Sequence, residues 1–202
     1  MAGERRVRIT DVSTLRGLAN PIRYRILGHL MATGPQTASE CAAVVGASPS
    51  NCSYHLRELA RFGLVERITG PGPGGDGRDR PWRPAITGYG SGPADEADRE
   101  SADPAVEVAA RHLSHLGVDD SAALAHAAID EHARLPEAWQ RAETLSTYGL
   151  RLTADELATV VASVDAVLRP FIGLTRDAAP ADAERVHVVF DAFRRPAPLV
   201  AP

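Results

Sequence analysis

Between Asn20 and Val65 the apolar residues recur at helical spacing, and each recurrence is bracketed by residues that start or stop helices. Asn20-Pro21 sets an N-cap before a proline at the first helical position. Ile22, Ile26, Leu27 and Leu30 follow as one stripe, and Gly34-Pro35 ends it. Leu15 and Leu18 predict one more helix before that. Thr37-Ala38-Ser39-Glu40 has the form of a capping box, so the next helix is expected to run to about Val45 with Cys41, Val44 and Val45 inward. Gly46-Ala47 makes a turn. Ser48-Pro49 then opens a helix that Gly63 closes. At 100° per residue Cys52, Leu56 and Leu59 span about 60° of that helix, and Ser50, Tyr54, Arg57 and Arg61 span about 60° of the opposite side. Asn51 and Ser53 flank the second arc and Glu58 stands at its margin. Two short helices joined by a Gly-containing turn, the second with a polar outward face, form the helix-turn-helix pattern.

Beyond this helix the period changes. Leu64-Val65-Glu66-Arg67-Ile68 alternates like a strand, and the Gly- and Pro-rich run from Gly70 to Gly92 admits no regular element throughout. Within it Arg78-Asp79-Arg80-Pro81-Trp82-Arg83-Pro84 is expected to supply the tip and return strand of a hairpin. Asp103-Pro104 opens a helix striped by Val106, Ala110, Leu113 and Leu116. Gly117-Val118-Asp119-Asp120 is expected to end it and cap another, with Leu124, Ala128 and Leu135 apolar. Leu145 to Leu152 alternates loosely. Thr153-Ala154-Asp155-Glu156 is a second capping box, before a helix carrying Leu157, Val160, Val161, Val164, Val167 and Phe171 on one side. Val186 to Phe193 alternates as a strand. The fold class is therefore mainly α with small β: a winged helix-turn-helix domain, dimerisation helices, and a small α+β C-terminal appendage. The expected boundaries are 9–88 for DNA binding, 89–102 for a linker, 103–195 for the helical and α+β region, and 196–202 for a tail.

Charge sharpens this division. The chain of 202 residues has a net charge of −4, but residues 1–90 hold twelve Arg against seven acids and residues 91–202 ten Arg against nineteen. A basic front and an acidic rear orient a molecule towards a polyanion. On that front Ser50, Asn51, Ser53 and Tyr54 are the candidates for reading base edges, while Thr37, Ser48, Arg57, Arg61, Arg78 and Arg80 are candidates for holding phosphates. Arg83 is placed beside them. No stretch reaches the ~18 apolar residues of a membrane span, and the start of the chain lacks a signal-peptide core. With two cysteines, both on inward helix faces, a cytoplasmic protein is expected.

Leu18-Ala19-Asn20-Pro21-Ile22-Arg23, then Ser53-Tyr54-His55-Leu56-Arg57-Glu58-Leu59 and Gly63-Leu64-Val65, resemble the winged helix-turn-helix of ArsR-type bacterial transcriptional regulators over roughly residues 9–88. The resemblance implies a homodimer that binds double-stranded DNA at an inverted repeat, usually as a repressor. More loosely, the C-terminal half resembles extensions carried by some actinobacterial regulators of this type. Metal-sensing members often carry a Cys-x-Cys pair on the first helix of the motif, where this chain has Thr37 and Ser39. A second site in such proteins uses histidines and carboxylates on a later helix. His112, His115, His126 and His132 are available there, but the carboxylate positions correspond to Leu113 and Ile129. Two ligands alone do not hold zinc. No cofactor or metal is expected, and Cys41 and Cys52 read as small buried hydrophobes.

Two alternatives stand beside the regulator: a metal-responsive repressor using those histidines, and a winged-helix module that binds protein rather than DNA. The second should show aliphatics where Ser50, Tyr54, Arg57 and Arg61 stand. No nucleophile elbow, phosphate-binding Gly loop opening a helix, or His-Glu-x-x-His pair is present, so no enzyme is expected. Trp82, Trp139, Tyr148 and Phe171 are candidates to line an apolar pocket for an unidentified small-molecule effector, with ordinary core as the alternative.

Overall fold

The computed structural model describes residues 5–68, 80–91, 103–172 and 179–196. Strand β1 (Arg6–Ile9) leads into α1 (Val12–Leu18), α2 (Pro21–Thr33), α3 (Ala38–Val45) and α4 (Pro49–Arg61). Then come β2 (Val65–Arg67), β3 (Trp82–Pro84), β4 (Gly88–Ser91) and the long α5 (Pro104–Glu131). A 3-10 turn, His132–Arg134, precedes α6 (Glu137–Ala142), and α7 (Ala154–Leu168) ends in a second such turn, Arg169–Phe171.

The caps read from the sequence hold the helix starts. Asn20 Oδ1 accepts from the Ile22 and Arg23 N–H groups at 3.1 and 3.2 Å. In α3 the capping box closes in both directions, the Thr37 N–H donating to Glu40 and the Glu40 N–H to Thr37 Oγ1. Each cap satisfies N–H groups that a helix start leaves without a carbonyl. Gly46 and Gly63 take the left-handed conformation (φ 67° and 68°) that their turns require.

A single core joins Leu15 and Leu18 of α1, Ile26, Leu27 and Leu30 of α2, Cys41 of α3, and Cys52, Leu56 and Leu59 of α4. Val44, expected inward, is exposed: with eight residues α3 buries only a narrow stripe through Ala38, Cys41 and Ala42. Ile9, Trp82 and Ile86 close the core at one side. The start of α5 closes it through Val106, Ala109, Ala110 and Leu113, packed on α1. The wing is an antiparallel pair, β2 with β3, in the register Val65↔Pro84, Glu66↔Arg83 and Arg67↔Trp82. Gln36, just before α3, bridges to Trp82 by two backbone hydrogen bonds of 2.7 and 2.9 Å, tying the wing to the helix pair.

Three expectations are corrected. Gly88–Ser91, placed largely in a linker, is a strand that pairs in parallel with β1, itself unforeseen. Gly88–Ser91, four residues with two glycines, carries too little alternation to be read. The helix break expected at Gly117 to Asp120 does not occur, because α5 runs unbroken for 28 residues. There Gly117 makes room: a Cβ would come 3.0 Å from the Tyr24 hydroxyl. Asp120 forms an ion pair with Arg25 at 2.6 Å rather than capping a helix. Finally, Val186 to Phe193 is not paired as a strand among the described residues.

Candidate nucleic-acid interface

The face of α4 follows from its composition. Ser48 Oγ accepts from the Asn51 N–H at 3.2 Å and so fixes where the helix begins, which sets the rotation of every later side chain. Cys52, His55, Leu56 and Leu59 turn inward and are buried. Ser50, Asn51, Tyr54, Arg57 and Arg61 are exposed and Ser53 is half-buried. Tyr54 is 50% exposed despite its large ring, and it is braced edge-on against His55, ring centroids 5.2 Å apart. An aromatic held outward in one orientation loses little entropy when it meets a base or sugar.

The expected base-reading residues thus share one surface strip. The expected phosphate-holding residues divide. Arg57 has no ion-pair partner among the described residues, whereas Arg61 is paired with Glu58 at 3.1 Å. Thr37 and Ser48 use their hydroxyls in the α3 and α4 caps, so a phosphate would have to share them. Arg80 is exposed beside β3, and Arg78 lies outside the described residues. Arg83 is paired across the wing with Glu66 at 2.7 Å, which ties down a side chain expected to face the sugar-phosphate backbone. Arg67 stacks on the buried Trp82 at 5.1 Å and so braces the wing.

Sequence reasoning missed His55, which follows Tyr54 directly. It is 7% exposed, and its Nδ1 has no hydrogen-bond partner among the described residues. Burial, and then the Arg23 charge, lower its pKa, so the ring is held neutral inside the reading helix. The signal was available: His55 stands one turn after Cys52 and one turn before Leu59, on the apolar side. Both cysteines are fully buried, and burial pushes the Cys41 thiol up to about 11. Among the described residues no group of three or more His, Cys, Asp or Glu could hold a metal ion.

Of the aromatic residues expected to line one pocket, Trp139 is half-buried. Trp82 belongs to the core under the wing, while Tyr148 and Phe171 stand exposed. Trp82 is anchored by the Gln36 bridge, and Phe171 stands at the end of the turn that follows α7.

Residues 18–68 match the family model of a helix-turn-helix domain, and these are the residues that build α2, α3, α4 and the first wing strand. The chain carries a helix-turn-helix domain with a short hairpin wing. That match and the strip on α4 support a DNA-binding transcriptional regulator. Among curated proteins none matches the chain. Two solved structures are similar at a distance. One is a MarR family transcription regulator, 19% identical, covering 83% of this chain and 84% of its own, with a TM-score of 0.30. The other is RV1404 from Mycobacterium tuberculosis, 12% identical, covering 77% and 80%, also with a TM-score of 0.30. Among the described residues no helix is long and apolar enough to cross a membrane.

Proposed function

We propose that this chain is a sequence-specific repressor that acts in the cytoplasm as a homodimer on an inverted-repeat operator. The observation that carries the reading is the two-sidedness of α4. Its apolar side is sealed in the core, while Ser50, Asn51, Tyr54, Arg57 and Arg61 stand exposed on a basic half of the chain. Hydroxyl and amide groups suit base edges in a major groove, and guanidinium groups suit phosphates. Ser50, Asn51, Ser53 and Tyr54 read bases; Thr37, Ser48, Arg57, Arg61, Arg78 and Arg80 hold phosphates. Two copies of this helix about one duplex turn apart would read two half-sites. The exposed strip holds no aliphatic residue, which speaks against a surface made only for protein contact.

Selection of bound duplexes from a random pool tests this reading. The wild-type protein should enrich a palindromic motif, and Tyr54→Ala or Asn51→Ala should flatten that preference while leaving affinity for random duplexes nearly unchanged. Equal losses on selected and random DNA would refute the division between reading and holding residues.

A further inference from the structure

After Leu113, none of the described residues is buried. The C-terminal half nevertheless has the patterning of a folded unit, and its large apolar residues stand in solvent. Tyr148 is 77% and Phe193 71% exposed, with Leu145, Leu150, Val186 and Val188 close behind. Residues 143–153 and 184–194 run without regular structure. Among the described residues, neither 145–152 nor 186–193 makes a backbone hydrogen bond. Beside the second segment lies an open groove of about 620 Å³, lined mainly by Leu157, Ala158, Val161 and Ala162 of α7 and by Ala192. Unpaired, alternating, apolar strands are a liability that proteins cover.

We propose that residues 145–172 and 179–193 form a shared core with the same residues of a second copy, segment 145–152 of each copy pairing as a strand with segment 186–193 of the other over the apolar faces of α7. Charge selects this pairing. Segment 145–152 carries Arg151 as its only ionised side chain, and segment 186–193 carries Asp191. Crossed pairing sets the opposite charges Arg151 and Asp191 in the same sheet twice, whereas like-with-like pairing gathers two Arg151 in one ribbon and two Asp191 in another. The surface area agrees. A folded monomer of 21.5 kDa should expose about 9,200 Å², and this chain exposes 14531 Å². Even with every residue outside the described set counted as fully extended, roughly 800 Å² of excess remains per copy, the share each partner gives to a standard interface. The proposal rests on the dimeric part of the function above and is independent of DNA reading.

The test uses the full-length chain, with sedimentation equilibrium for mass and amide hydrogen exchange for each segment. The wild type should sediment at twice 21.5 kDa, with the amides of 145–152 and 186–193 protected. The double variant Val188→Asp/Phe190→Asp should weaken association by about a hundredfold or more and release both segments to free exchange. Amides of α2 and α4 should stay protected in it, showing that the winged-helix half still folds. Arg151→Asp should weaken the dimer about tenfold, and adding Asp191→Arg should restore it. A monomeric wild type, a dimer whose two segments exchange freely, a double variant that still dimerises, or a charge exchange that fails to restore association would each overturn the proposal. Binding of a random duplex by the monomeric double variant, weakened and made less salt-dependent on adding Arg57→Gln, separates failure here from failure of the DNA-reading strip.

Discussion

Glu58 is the residue whose removal tests the α4 face most directly. Its carboxylate lies 3.1 Å from the Arg61 guanidinium, and the Arg61 side chain is 76% exposed. At that distance two unit charges attract by about 1.3 kcal/mol in water. After screening and side-chain ordering, an exposed pair keeps at most about 1 kcal/mol. A phosphate must outcompete that carboxylate for Arg61, and Glu58 also repels the duplex. Glu58→Gln therefore frees Arg61 and should tighten binding up to about fivefold for one reading helix and up to about thirtyfold for two. The effect is electrostatic, so it should be equal on any sequence and should fade as salt rises. Fluorescence anisotropy with a labelled random duplex, between about 50 and 300 mM salt, measures it without knowledge of the operator. Arg57→Gln provides the contrast: with no partner to release, it should only weaken binding and flatten the log-log salt dependence by about 0.9 per reading helix. Weaker or unchanged binding by a normally folded Glu58→Gln, or a gain that persists at high salt, would refute the reasoning.

Three further outcomes concern stability. Leu56→Ala deletes a fully buried side chain of α4 and should cost about 2–5 kcal/mol in denaturant unfolding; a change below 1 kcal/mol would mean that α4 is not seated as described. Gly17→Ala sets a Cβ into the ring of Phe62 and should destabilise by about 1–3 kcal/mol, although alanine is the better helix former. His55 has a pKa lowered from 6.5, first by burial. Below that pH the unfolded chain takes up a proton that the folded chain refuses, so stability is complete above 6.5 and falls as pH drops towards the folded value. His29 shifts in the same direction, again mainly through burial. Thermal melts of His55→Gln should accordingly show a shallower, not absent, loss between pH 6.5 and 5.

The elements best read from sequence were those with local causes. Thr37 and Glu40, Asn20 and Pro21, Ser48 and Pro49, and Thr153 and Glu156 declare helix starts within four residues, and each start lies where those residues place it. The rotation of α4 followed too, because its start and its 3.6-residue period together determine which side Tyr54 and Arg57 occupy. The α5 break failed for a non-local reason. Gly117 looked like punctuation, but it lies inside the helix, where Tyr24, 93 positions earlier, leaves only tight space for a Cβ.

What the chain determines by itself is local: where helices begin, which face is apolar, and how basic the reading strip is. What only the tertiary structure decides is which groups remain available. Among the described residues Arg57 is unpaired while Arg61 and Arg83 are held by Glu58 and Glu66, and His55 is closed inside the core. Caps and periodicity act over a few bonds and are written in consecutive residues. Availability depends on which distant side chains reach the same point in space, so it arises only once the core has brought them together.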